Sequence, residues 1–461
     1  MTDCKRLKQE QVDFYFSSIN LGCNKNLVDT QYLLWKLLSF QKYNKFYNIQ
    51  YFADALDDSV EFIFLNTCGF LSTWRQEAVS TLTELLEHNK KVYLIGCVPN
   101  YFKNIDKESS EAMEFMKLIS HPDVFQLSWK DFDKINILQL SQGYDSRKFD
   151  WFSFPDSPRA YTNIDYKFEY IKIAEWCNNS CSFCIIPKIR WKQKSMKVED
   201  VLGEVKNLVD SWVEEIIILA QDTTRYGIDL YEKPYLFELL ERIEKIEWDF
   251  VYRLLYLYPD ILTLKQLERL KWFKKFLPYF DIPLQHISAP ILKNMGRFYD
   301  TESIYKFLDF IYTNFPTRFI RTNLIVWFPG ETEYDVKQLI EFVENTDIDN
   351  IAIFEYHDEK FAPSSKLADK LSDKEVHNHF LKVKKVVDKK LEEKSSLRKW
   401  KEYIGYIMDI RWEWDDMIFV VRPTLHAPEI DEYDLLNLSQ ITGVYSENGE
   451  LNVWEKIIYN I

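Results

Sequence analysis

Residues 170–184 read YIKIAEWCNNSCSFC, an apolar run followed by three cysteines, Cys177, Cys181 and Cys184, in a CxxxCxxC spacing. The apolar part reads as a buried strand, which puts the cysteines in the loop after it. Cysteine thiolates are the usual ligands of iron–sulfur clusters, and a cubane takes four, so a set of three leaves one iron open to bind substrate. The competing readings are a zinc site or a chance cluster of cysteines. Zinc sites show paired CxxC or Cys/His spacings, and no histidine lies near this loop.

Downstream, the strand-and-loop unit recurs. VEDVLGEVKNLVDSWV (198–213) has apolar residues at helical spacing, and EEIIILAQDTTRYG (214–227) gives a second strand and loop. DFVYRLLYLYP (249–259), PYFDIPLQH (278–286), FIRTNLIVWFPG (319–330) and NIAIFEYH (350–357) are further strands, separated by helical stretches at 262–276, 302–314 and 334–346. Such alternation predicts a partial or full parallel barrel of TIM type, with its site at the carboxyl ends of the strands. Gln221, Asp222, Arg253, Gln285, His286 and Glu331 fall within or just past these apolar runs and are the candidate ligand-binding residues. Each has an ordinary alternative as a structural hydrogen-bonder. The basic loop IIPKIRWKQKSM (185–196) suits a carboxylate or phosphate, or is simply a solvated charge run.

Upstream, VDFYFSSIN (12–20) is a buried strand running into Cys23 and a helix through TQYLLWKLLSF. EFIFLNT ends at Cys68 and is followed by a helix over about 73–89, and KVYLIG ends at Cys97. Strand, turn and helix in succession predict a parallel α/β sheet that brings the three cysteines together at strand ends. Two readings stay open for them, a second three-thiolate cluster or ordinary buried thiols. Cys4 has no evident partner. Residues 146–166 are polar and proline-containing and read as a linker.

Residues 374–401 form a charged helix with one apolar face. The short alternating strands after it (YIGYIMDIRW, MIFVVRP, ITGVYS) predict a small antiparallel β-barrel. Residues 401–461 carry four basic and twelve acidic side chains, a net charge of −8, within a chain of net charge −14. That balance disfavours a broad phosphate-binding surface and favours a basic partner. With 461 residues and 46 % hydrophobic content the chain holds several packed domains. It has no run of eighteen apolar residues and no signal-peptide pattern, so the expectation is a cytoplasmic protein with no membrane contact.

CNNSCSFCIIPKIR, with LGCNKNLVDT (21–30), NTCGFL (66–71) and AQDTTRYG (220–227), resembles the methylthiotransferases among the radical S-adenosylmethionine enzymes, over nearly the whole chain. The LGC-x-KN-x-VD and CSFCIIP forms are similar to the branch acting on ribosomal protein S-twelve. The tRNA adenosine methylthiotransferases, with GCQMN and CTFC forms, are the alternative, and an iron–sulfur scaffold or electron carrier is the non-enzymatic one. The resemblance implies a methylthiotransferase N-terminal domain over 1–145, a radical S-adenosylmethionine core over 167–396 and a TRAM barrel over 397–461. It further implies two 4Fe–4S clusters. Cys177, Cys181 and Cys184 would hold the one that binds S-adenosylmethionine, and Cys23, Cys68 and Cys97 the auxiliary one that presents sulfur. The implied product is a β-methylthioaspartyl residue in S-twelve, free or in the assembled small subunit, made with an external electron donor and a sulfur donor.

One departure is systematic. Where the family has glycine, this chain has Trp176, Trp191, Trp212 and Trp327, and overall it has 11 glycines against 14 tryptophans. Glycine serves close backbone approach or positive φ, and tryptophan is its bulkiest replacement. Either these tryptophans are UGA codons that the source cell reads as glycine, or the chain is a diverged homologue repacked around real tryptophans.

Overall fold

The computed structural model describes residues 12–43, 46–127, 135–146, 158–189, 192–399, 401–413, 416–445 and 451–461. Cys4, Arg190 and Trp191 lie outside them. The chain forms two compact units, one of residues 1–161 with 176–178 and 184–192, the other of the remaining residues.

The first unit is a parallel sheet of β1 (Val12–Asn20), β2 (Tyr47–Tyr51), β3 (Phe62–Thr67), β4 (Lys91–Gly96) and β5 (Val124–Gln126), in the order β2-β1-β3-β4-β5. FIFLNT in β3 is buried at every residue, as a central parallel strand covered on both faces must be. Phe14, Phe16, Phe62, Phe64 and Tyr93 make an aromatic core, with Phe14 and Phe62 stacked at 4.6 Å between centroids. Helices Asn24–Tyr43 and Ser72–Glu87 follow β1 and β3 at the places their apolar spacing indicates.

In the second unit β6 (Phe168–Lys172) leads into a two-stranded ribbon of β7 (Ala174–Glu175) and β8 (Lys194–Ser195); of the cysteines between them in sequence, Cys181 belongs to this unit and Cys177 and Cys184 to the first. The main sheet continues with β9 (Glu215–Leu219), β10 (Val251–Leu254), β11 (Phe276–Gln285), β12 (Phe319–Val326) and β13 (Asn350–Glu355). Its order is β13-β12-β11-β10-β9-β6, parallel throughout. The helix Asp373–Arg398 then leads to an antiparallel sheet of β14 (Glu402–Glu413), β15 (Asp416–Pro423), β16 (Asp434–Asn437), β17 (Ile441–Val444) and β18 (Lys456–Asn460). Ile407, Phe419, Val421, Leu436, Ile457 and Tyr459 form its core. Among the described residues no helix is long and apolar enough to cross a membrane.

The antiparallel sheet docks at the amino ends of the parallel strands. Glu215, the first residue of β9, accepts from Arg253 Nε at 2.5 Å and pairs with Arg422 Nη1 of β15 at 2.9 Å. Arg253 Nη1 and Nη2 donate to the carbonyls of Leu425 and Thr424, each at 2.9 Å. Asn350, which opens β13, donates to Asp431, and the Tyr170 hydroxyl to the Pro428 carbonyl. All three charged side chains of the Glu215 node are buried.

Burial pushes the Glu215 carboxyl up, but Arg253 and Arg422 outweigh it and hold it below the usual carboxylate range. A carboxyl depressed in this way stabilises the fold above its unfolded pKa of about 4.3, and the contribution is lost as pH falls through the folded value. Glu215→Gln leaves two buried guanidiniums without a counter-charge and should lower stability at pH 7 by roughly 3–5 kcal/mol. The loss should shrink below pH 4. Urea unfolding at both pH values checks this, and an equal loss at both would remove charge as its cause.

Candidate metal centres and ligand site

In the first unit Cys68 and Cys97 directly follow β3 and β4, and Cys23 follows β1 after Leu21 and Gly22, so the three thiols leave the carboxyl ends of adjoining strands. All three are free. Glycine sets how closely these turns approach. A Cβ on Gly22 would stand 2.5 Å from Cys68 Cβ, and one on Gly69 would stand 3.3 Å from the Cys97 carbonyl. Gly96, at φ 93°, has no room either, since its Cβ would meet the Thr67 carbonyl at 2.3 Å.

The polar residues of LGCNKN hold the first turn in place. Asn26 Nδ2 donates to the Leu21 carbonyl at 2.9 Å, and Asn66 Nδ2 donates to the Asn26 carbonyl and to Thr30 Oγ1. Buried Arg75 donates to the Gly69 carbonyl at 3.0 Å while its guanidinium lies over the Tyr101 ring, which steadies the Cys68 turn. No set of three or more His, Cys, Asp or Glu among the described residues is gathered in metal-binding geometry. Their place at adjoining strand ends and the glycines between them mark these thiols as candidate ligands.

Of the triad loop, residues 179–183, with Cys181, belong to the second unit and are pinned there from several sides. Asn179 Nδ2 donates to Asp222 Oδ2 at 2.7 Å, which ties the loop to the turn after β9. Ser182 donates through its amide to the Met295 carbonyl (2.9 Å) and through its hydroxyl to the Asn294 carbonyl (2.6 Å), which ties it to the helix Ala289–Asn294 after β11. The Cys181 thiol is buried, 3.6 Å from the Tyr258 hydroxyl in the loop after β10. Gly296, at φ 71°, packs against the Ser180 carbonyl, 2.7 Å from where a Cβ would stand.

Asp222 sits at the centre of this arrangement. It accepts from the Thr224 amide and hydroxyl and pairs with Arg225. Burial pushes its carboxyl above the usual range, although Thr224, Asn179, Arg225 and Arg297 all pull the other way.

Several buried polar atoms along the same strand ends have no hydrogen-bond partner among the described residues: Gln221 Oε1, His286 Nε2, Glu331 Oε1, and Arg297 Nε and Nη1. His286 Nδ1 accepts from the Ser288 amide at 2.9 Å, which leaves the imidazole proton on Nε2, 3.7 Å from Glu331 Oε1. Glu331 is held by the Phe328 amide through its other oxygen. Gln285, in left-handed conformation at φ 68°, ends β11 just before His286. Buried groups normally find partners, so this row suits a polar ligand that supplies them.

Of the expected site residues, Gln221, Asp222, Gln285, His286 and Glu331 lie at or just past carboxyl ends of β9, β11 and β12. Arg253 lies elsewhere. Its guanidinium is turned to the amino ends and held by Glu215 and the Thr424 and Leu425 carbonyls. Its place near the site is taken by Arg297, buried with its guanidinium 4.1 Å over the Tyr258 ring. Burial works against that charge, but Tyr299, Cys181, Tyr258 and Asp222 more than offset it. Arg297, Tyr258 and Asn179 escape a strand-end search because they sit deep in loops, and the one local signal is the glycine beside Arg297.

Comparison with known proteins fits this geometry. The model of the Radical SAM superfamily matches residues 171–343, and that of Uncharacterized protein family UPF0004 matches 15–116. A radical S-adenosylmethionine methyltransferase, TsrM from Kitasatospora setae, solved with cobalamin and a [4Fe-4S] cluster bound, shares the fold over 75 % of each chain at a TM-score of 0.52 and 12 % identity. Fold and site together define a radical S-adenosylmethionine enzyme, a class whose chemistry runs on S-adenosylmethionine and an iron–sulfur cluster.

Proteins named ribosomal protein uS12 methylthiotransferase RimO from Alkaliphilus oremlandii (35 % identical over 424 residues, 90 % of each chain) and Clostridioides difficile (34 % over 421 residues, 89 % of this chain and 90 % of the other) match nearly end to end. The chain belongs to the family of ribosomal protein uS12 methylthiotransferases.

Gly296→Ala places a Cβ against the Ser180 carbonyl at a left-handed position, at a cost of roughly 1–3 kcal/mol. The strain falls on the triad loop. Anaerobically reconstituted Gly296→Ala protein should retain less iron per chain than the parent, with unchanged far-UV circular dichroism. Equal iron retention would show that this contact does not position the loop.

Proposed function

We propose that this chain methylthiolates the β-carbon of an aspartate in ribosomal protein uS12, alone or in the assembled small subunit. The reading is carried by two separate sets of three cysteines in one chain, one following β1, β3 and β4 of a parallel sheet and the other in the segment between β7 and β8. It is supported by relatives bearing that name over 90 % of the chain. In this reading Cys177, Cys181 and Cys184 hold the 4Fe–4S cluster that binds S-adenosylmethionine, and Cys23, Cys68 and Cys97 hold a second one that presents sulfur. The domains are the methylthiotransferase domain over 1–145, the radical core over 167–396 and the TRAM barrel over 397–461, in a cytoplasmic protein that draws on external electron and sulfur donors.

When bound, reduced cluster and S-adenosylmethionine supply a deoxyadenosyl radical able to take hydrogen from an unactivated carbon, and a second S-adenosylmethionine supplies the methyl group. The protein's own work is placement and exclusion of water. Asn179 and Asp222 hold the triad loop against the turn after β9, and Ser182 holds it against the turn after β11. Gln221, His286, Glu331 and Arg297 offer acceptors and donors for the polar groups of S-adenosylmethionine. His286 enters as a donor through Nε2, and Glu331 as an acceptor through Oε1.

The charge of the C-terminal sheet supports a protein substrate. A net −8 over residues 401–461 attracts a basic ribosomal protein and repels a phosphate backbone. Anaerobic reconstitution with iron and sulfide, then turnover with S-adenosylmethionine and either uS12 or tRNA, tests this. Mass spectrometry should find the added methylthio group on uS12, and a modified tRNA beside unmodified uS12 would transfer the reading to the tRNA branch. Cys181→Ala should abolish S-adenosylmethionine cleavage, whereas Cys68→Ala should retain cleavage and lose methylthiolation.

A further inference from the structure

Trp176, Trp212, Trp327 and Trp454 all have left-handed backbone, at φ 64°, 65°, 64° and 74°. Only a few per cent of non-glycine residues adopt this region, and for a bulky side chain it is a true outlier. Here four of the nine described tryptophans do so, the others being Trp35, Trp74, Trp248, Trp272 and Trp412. The described glycines behave alike, six of ten being left-handed: Gly22, Gly96, Gly143, Gly227, Gly296 and Gly330. Tryptophan in this chain thus has the backbone statistics of glycine.

Local geometry at each position agrees. Trp212 follows the helix Val198–Asp210 in a complete Schellman motif. Its amide donates to the Val209 carbonyl and the Val213 amide to the Leu208 carbonyl, both at 3.1 Å. The left-handed residue of that motif is usually glycine. Trp212 is 76 % exposed, so little packing compensates for the backbone.

Trp327, in the turn after β12, is buried with its indole Nε1 lacking any hydrogen-bond partner among the described residues, and its ring is pressed to 3.8 Å from that of His379. Trp176 stands between β7 and Cys177, where the chain turns into the triad. Trp454 makes the turn into β18, donating its amide to the Ile407 carbonyl.

We infer that codons 176, 212, 327 and 454 are UGA, read as glycine by the cell that makes this protein. UGA differs by one base from UGG, the single standard tryptophan codon, so a decoding table that assigns UGA to tryptophan would write the sequence as it stands. With 11 glycines in 461 residues, the chain is also short of glycine overall, at about a third of the usual share. The backbone evidence adds Trp454 to the positions at which the family pattern has glycine, and it does not depend on that pattern.

Two measurements test this. Sequencing the gene should show UGA at the four codons, and peptide mass spectrometry of protein isolated from its own cells should show glycine at the same positions. UGG codons, or tryptophan-bearing peptides covering these positions, overturn the inference. Independently, Trp212→Gly introduced into the tryptophan-bearing chain should raise the thermal midpoint by a few degrees, while Trp248→Gly, at a tryptophan that is not left-handed, should not. A fall in midpoint for Trp212→Gly also counts against it.

Discussion

A carboxylate clamped between two arginines decides which end of the second unit is free to do chemistry. Glu215 joins Arg253 of the parallel sheet to Arg422 of the antiparallel one, with all three side chains buried. Desolvation makes such a triad a weak source of net stability but a severe liability once one member is removed. It works as a register pin. With the antiparallel sheet held at the amino ends, the carboxyl ends are left to the triad loop and the turns after β9, β10 and β11.

The same directional logic operates in the first unit. Parallel strands deliver every following turn to one edge, so cysteines far apart in sequence leave neighbouring strands β1, β3 and β4. Side-chain packing alone would not bring them close. Gly22 and Gly96 let the turns approach to distances that a Cβ would forbid, and at Gly69 a Cβ would be tight, 3.3 Å from the Cys97 carbonyl. In both units, then, thiols are presented by loops whose shape depends on glycine or on glycine-like backbone.

Much of this is legible in the sequence because period and burial coincide. VDFYFSSIN, EFIFLNT and KVYLIG are strands over almost the residues their apolar runs suggest, and the alternation from 170 to 357 becomes one six-stranded parallel sheet. The misses have physical reasons. YNIQY is a partly exposed edge strand and VFQ is three residues long, so neither has a clear period. Arg253 stands in a strand that does lead to the site, but which way a long side chain runs depends on partners about 170 residues away. Arg297 and Tyr258 become visible only when the loops close around Cys181.

The left-handed tryptophans also bear on where such a gene can work. A ribosome that stops at UGA would release the chain no later than Glu175, after the whole first sheet with Cys23, Cys68 and Cys97 but one residue short of Trp176 and the triad beyond it. The product would carry Cys23, Cys68 and Cys97 and lack Cys177, Cys181 and Cys184. Inherited by a cell with the ordinary code, the gene would be silent as a catalyst, and its function stays tied to the translation machinery that reads it.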